Sequence, residues 1–74
     1  MAEYTVNARG LQCPGPLVAL FNQSKVASPG DIIKIEVTDQ GFKKDVQAWC
    51  KKTGNELTEL KEENSCIFAT IVKK

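Results

Sequence analysis

Four times along this chain the spacing of apolar residues changes between a period of two and the period of a helix, and that rhythm limits the fold to a small set. Tyr4, Val6 and Ala8 alternate with Glu3, Thr5, Asn7 and Arg9, as in a strand with one buried face. From Leu17 the pattern becomes helical through Leu20, Phe21 and Ser24, and Ser28-Pro29-Gly30 stops it, which predicts a first helix over Pro14 to Ala27. Ile33, Ile35 and Val37 then alternate with Lys34, Glu36 and Thr38 as a second strand. Asp39 suits the N-cap of a second helix whose face is Phe42, Val46, Trp49, Cys50 and Thr53, with Lys51 and Lys52 in its last turn. Gly54-Asn55 closes that helix in left-handed geometry. Leu57 to Lys61 and Cys66 to Val72 read as two further strands around a polar turn, Glu62-Glu63-Asn64-Ser65.

The order is therefore βαβαββ. A right-handed crossover puts both helices on the same side of the sheet, so the expected fold is an α/β (α+β) two-layer sandwich, a four-stranded mixed sheet with two helices on one face. With 74 residues and no linker-like stretch, residues 1–74 are expected to form a single domain. In the last strand Ile67, Ala69 and Ile71 make the better core face. Cys66, Phe68 and Val72, with Ile32, are left for the uncovered side of the sheet.

The chemistry is bounded by what is missing as much as by what is present. There is no histidine, so Cys-His nucleophilic catalysis and histidine-containing zinc sites are excluded. Three cysteines, at 13, 50 and 66, form neither a disulfide framework nor a zinc-finger spacing; no metal site and no cofactor is expected. The absence of a second cysteine near Cys13 argues against a thiol-disulfide oxidoreductase. A net charge of +1 calls for no nucleic acid, and no apolar run reaches membrane-spanning length. The N-terminal residues lack a signal-peptide pattern, and the cytoplasm is the expected location.

Cys13 stands out. It lies in Cys13-Pro14-Gly15-Pro16, where the chain turns from extended to helical. A following proline pushes Cys13 toward the extended region, the conformation of an N-cap, and Pro14 fits the first helical position. Gly15 keeps its N–H, and Pro16 removes a donor that would otherwise be orphaned. An anion on the Cys13 sulfur would meet the positive end of the helix dipole, which is expected to bring the thiol pKa to about 7–8. Cysteine is a poor cap beside Ser, Thr, Asp or Asn, so a purely structural role explains it less well. Cys50 belongs to the apolar face of the second helix and reads as core. Lys43, Lys44, Lys51 and Lys52 read as a solvated helix face, while Arg9, just upstream of the cysteine turn, is positioned to steer an anionic sulfur donor.

Arg9-Gly10-Leu11-Gln12-Cys13-Pro14-Gly15-Pro16 resembles the signature of the TusA/SirA family of small sulfur carriers. Thr38-Asp39, Asp45, Trp49-Cys50 and Thr53-Gly54 fall where that family has its second-helix pattern, and the resemblance extends over the whole chain. Gln40-Gly41 and Asn55 depart from the common pattern, and the second-helix stretch is most similar to members found beside rhodanese or flavin-dependent disulfide reductase domains. The resemblance implies a sulfurtransferase or sulfur carrier acting through a persulfide on Cys13. It would be loaded by a cysteine desulfurase or a rhodanese-type donor and unloaded by an acceptor protein. Arg9, Gly10, Pro14, Gly15 and Pro16 would be supporting residues, and the carrier a monomer. The competing reading is a regulatory or protein-binding module that uses the uncovered sheet face or the helix-two lysines, with Cys13 only a helix cap.

Overall fold

The computed structural model describes residues 2–11 and 15–74. Its elements are β1 (Glu3–Ala8), α1 (Gly15–Val26), β2 (Ile32–Val37), α2 (Phe42–Thr53), β3 (Glu56–Glu63) and β4 (Cys66–Val72), in the βαβαββ order read from the sequence. The strands lie in the order β1-β2-β4-β3. β1 runs parallel to β2, while the β2–β4 and β3–β4 pairs are antiparallel, so the sheet is mixed. α1 packs over β1 and β2, and α2 over β3 and β4.

The two central strands supply most of the sheet's contribution to the core. Ile33, Ile35 and Val37 of β2 and Ile67, Ala69 and Ile71 of β4 are buried against Leu20 of α1 and Phe42, Val46 and Cys50 of α2. On the edge strands Tyr4, Val6, Leu57 and Leu60 are only partly buried, because a neighbour covers them on one side alone. Ile32, Cys66, Phe68 and Val72 turn to the uncovered face as expected. Ion pairs Lys34–Glu3 and Lys61–Glu59 share that face with them.

Four local details depart from simple periodicity and capping signals. First, Leu57 and Leu60 are three residues apart, which strict alternation cannot place on one face. A β-bulge between Leu57 and Glu59 restores the phase, setting Leu57 opposite Ile71 and Leu60 opposite Ala69. Second, β3 continues through Glu62 and Glu63, and the hairpin turns on Asn64 (φ 51°) and Ser65 (φ 64°) alone. Positive φ at both central residues is the pattern of a type I′ turn, whose twist matches that of the strands. Third, Gly41, not Asp39, precedes the first residue of α2. Asp39 folds the lead-in instead: its Oδ1 accepts the Gly41 N–H at 3.2 Å and its carbonyl accepts the Phe42 N–H at 3.1 Å. Fourth, Pro16, Leu20 and Ser24, spaced by four, form the buried ridge of α1, and Phe21 is 45% exposed with the Lys25 ammonium 4.6 Å from its ring centroid.

Asp31 closes the end of the sheet opposite the β1–α1 turn. Its carboxylate accepts the Ala2 N–H at 2.9 Å and the Ser28 N–H at 2.8 Å. Nearby, Lys73 donates its ammonium to the Ser24 carbonyl at 2.7 Å and so joins the last residues to the end of α1.

Candidate functional site

β1 ends at Ala8, and the chain reverses at once. The Leu11 N–H reaches back to the Ala8 carbonyl at 3.3 Å, closing a four-residue turn. Gly10 occupies its third position with φ 83°, the positive value that a type II turn requires there and that a side chain would resist. Two bonds hold this turn against the sheet. The Gly10 N–H donates to Thr38 Oγ1 at 3.0 Å, and the Arg9 N–H donates to Asn7 Oδ1 at 3.1 Å. Thr38 directly follows β2, so the turn is fastened to the central part of the sheet.

The Arg9 guanidinium has a carboxylate partner within the fold. Its Nε lies 2.9 Å from Glu36 Oε2, and Glu36 stands opposite Asn7 in the parallel register. Arg9 thus braces the turn against β2. With half of its side chain exposed, the pair contributes modestly to stability. Glu36 was not singled out from the sequence, and Thr38 entered only through the family resemblance, without this role. Their signal was present only as the polar, outward positions of the second strand, which acquire meaning once β1 lies beside it.

On the far side of the turn α1 begins with Gly15 and the fully buried Pro16. Gly15 permits a close approach, since a Cβ at this position would stand 3.2 Å from the Leu11 Cβ. Leu11 is 42% exposed, and Val18 and Phe21 on α1 are 50% and 45% exposed, so both sides of the cysteine segment carry apolar surface. Gln12, Cys13 and Pro14 lie outside the described residues. The expected cap at Cys13 and first helical position at Pro14 fall there. Of its flanks, the structure brings Leu11 against Gly15 and fastens Arg9 and Gly10 to Glu36 and Thr38, with Pro16 buried in the first turn of α1.

The remaining cysteines are separate from this region. Cys50 is 3% exposed in the core beneath α2, and burial pushes its thiol pKa up, which favours the unreactive neutral form. Cys66 is half-buried at the start of β4, opposite Glu63. Of the helix-two lysines, Lys43 pairs with Glu62 of β3 and ties the helix to the sheet edge, whereas Lys44, Lys51 and Lys52 are exposed. No helix among the described residues is long and apolar enough to cross a membrane.

Comparison with known proteins agrees with this arrangement. The family described as sulfurtransferase TusA matches residues 4–74. The sulfur carrier protein TusA of Allochromatium vinosum is 39% identical over 76 aligned positions, covering 100% of this chain and 99% of that protein. The sulfur carrier protein TusA of Pseudomonas aeruginosa is 35% identical over 69 residues, covering 93% of this chain and 87% of that one. In fold, the crystal structure of a SirA-like protein from Desulfitobacterium hafniense superposes with a TM-score of 0.82 at 24% identity, covering 93% of this chain and 95% of that chain. The chain belongs to the TusA/SirA-like family of sulfur carriers.

Proposed function

We propose that Cys13 is the residue that carries sulfur. Its thiolate attacks the terminal sulfur of a persulfide on a donor protein of the cysteine desulfurase or rhodanese type. The S–S bond of the donor breaks, the donor cysteine leaves as a thiolate, and a new S–S bond forms on Cys13. A nucleophile on the acceptor protein then takes the outer sulfur and releases the Cys13 thiolate. Each transfer exchanges one bond for another, so no oxidant or reductant is consumed.

The observation that carries this reading is the setting of the motif in a chain of a sulfur-carrier family. The Gly10 turn, fastened to Thr38, leads into Cys13 from one side, and the first turn of α1 begins at Gly15 on the other. The Gly10 turn and the Arg9–Glu36 pair fasten the approach to the sheet, and Pro16 is buried in the first turn of α1. With no histidine in the chain there is no internal imidazole base, which suits a carrier whose partner proteins supply proton transfer. The buried Cys50, with its raised pKa, is a poor competitor for the role.

The test is to incubate the reduced protein with a cysteine desulfurase and cysteine, and separately with a rhodanese and thiosulfate, and to record intact mass. A gain of one sulfur atom that is lost on adding reductant and absent in Cys13→Ser is expected. Sulfur on Cys50 or Cys66 instead, or none from either donor, overturns the reading.

A further inference from the structure

The two edges of the sheet are protected very differently. β3 carries Glu56, Glu59, Lys61, Glu62 and Glu63 and is broken by a bulge, both devices that discourage another strand from adding. β1 has neither. Its six residues contain no proline and a single charge, Glu3, and it pairs with β2 without interruption from Glu3↔Ile32 to Ala8↔Val37.

The direction of its free hydrogen-bonding groups follows from one contact. The Ile32 N–H donates to the Ala2 carbonyl at 2.8 Å, so Ala2 turns its backbone groups toward β2. Along a strand these groups alternate sides, and the N–H and C=O of one residue point the same way. Tyr4, Val6 and Ala8 therefore also face β2, and Glu3, Thr5 and Asn7 direct theirs outward, where no other strand pairs with them among the described residues.

We propose that β1 is a self-pairing edge, at which two copies of this chain join antiparallel about a two-fold axis at Thr5 and continue one sheet across both. In that register Thr5 faces Thr5 of the second copy, and Glu3 faces its Asn7. These are the mutually bonded pairs of an antiparallel ladder, and every outward N–H and C=O of the three residues is used. The side chains agree with it. Two threonines meet on the uncovered face, no like charges stand opposite, and Glu3 is already paired with Lys34 at 3.6 Å. On the helix side Tyr4 meets Val6 of the second copy, an aromatic against a β-branched residue, and both are only half-buried in the single chain. Centring the axis on Glu3 instead would oppose two carboxylates, and centring it on Asn7 would run Glu3 past the end of the partner strand. The monomer expected from the sequence is the contrary outcome of the test below.

The pairing leaves the carrier function independent. Arg9 lies four residues beyond Thr5, so the two Arg9–Gly10 turns would sit at opposite ends of the joined strands, roughly 26 Å apart at ~3.3 Å per residue. Each remains open to its own partner protein.

Sedimentation of the full chain from micromolar to millimolar concentration is expected to show a reversible dimer. Thr5→Lys, which sets two ammonium groups against each other at the axis, should raise its dissociation constant at least about tenfold. Thr58→Lys, on the opposite edge, should leave it unchanged. In the wild type the amide exchange of Glu3, Thr5 and Asn7 should slow with concentration, a readout that does not depend on any variant folding. A chain that stays monomeric at millimolar concentration overturns the proposal. So does a dimer insensitive to Thr5→Lys, one weakened equally by Thr58→Lys, or amide exchange at these three residues that is independent of concentration. Sulfur loading should be normal in Thr5→Lys and dimerisation normal in Cys13→Ser, so the two readings fail separately.

Discussion

Leu11 and Gly15 approach so closely across the cysteine segment that a Cβ on Gly15 would lie 3.2 Å from the Leu11 Cβ. That spacing is tighter than a comfortable carbon–carbon contact, so a side chain at 15 requires the half-exposed Leu11 to give by a few tenths of an ångström. Alanine gains helix propensity over glycine, about 1 kcal/mol in a helix interior and less in a first turn, which offsets the crowding. Gly15→Ala should therefore change stability by no more than about 0.5 kcal/mol, whereas Gly15→Val should cost about 1–2 kcal/mol by overpacking. Urea denaturation of the two variants, with the chemical shift of the Leu11 methyl groups as a local probe, checks it.

Asp31 predicts an acid-sensitive step. The N–H donors of Ala2 first and Ser28 second favour its carboxylate form and hold its pKa below the ordinary 3.8. A folded value below the unfolded one means that the unfolded chain takes up the proton first. The stabilisation is thus complete above the unfolded pKa near roughly 3.9 and disappears as the pH falls through the folded value. Asp31→Asn should be less stable at neutral pH, since an amide cannot accept both N–H groups equally, and its stability should fall less steeply below pH ~4. Thermal unfolding of both proteins across the acid range tests the sign.

Cys50 should behave as a core residue with an inert thiol. Cys50→Ala is expected to cost about 1–2 kcal/mol through the small cavity, and Cys50→Ser more, because a hydroxyl there replaces an apolar contact. Burial raises the thiol pKa above 9.0, so this group supports the fold below that value and ceases to do so as pH rises through the folded pKa. Alkylation of Cys50 should follow global unfolding; rapid labelling of the native protein would contradict its place in the core.

The β3–β4 hairpin offers a stabilising change. Ser65 holds φ 64°, a conformation that costs an L-residue with a side chain and costs glycine little. Ser65→Gly creates the Asn-Gly pair favoured in type I′ turns and should raise stability by about 0.5–1 kcal/mol. A bulky β-branched residue at 65 should lower it by more. Denaturant midpoints measured on Ser65→Gly and Ser65→Val decide both signs.

From sequence alone the element order, the inward faces of β2 and β4 and the place of Cys50 in the core were all legible. Each rests on local periodicity, and a buried strand or helix must keep its apolar residues in phase. The candidate cysteine was legible for a similar reason, because the proline that follows it acts on the backbone of its immediate neighbour. Tertiary contact decided the rest. Arg9 meets Glu36 only because β1 lies parallel to β2 in one register, and Lys43 meets Glu62 only because α2 crosses the edge strand. Phe21 fits the helical period of its neighbours, yet the sheet receives the ridge of Pro16, Leu20 and Ser24 and leaves the ring outside. The bulge that brings Leu57 and Leu60 to the same face, and the unguarded flank of β1, depend on the strand order β1-β2-β4-β3. No local propensity encodes that order. It follows from which strands can bury their apolar faces together beneath two helices, and that is settled by the packing of the whole chain.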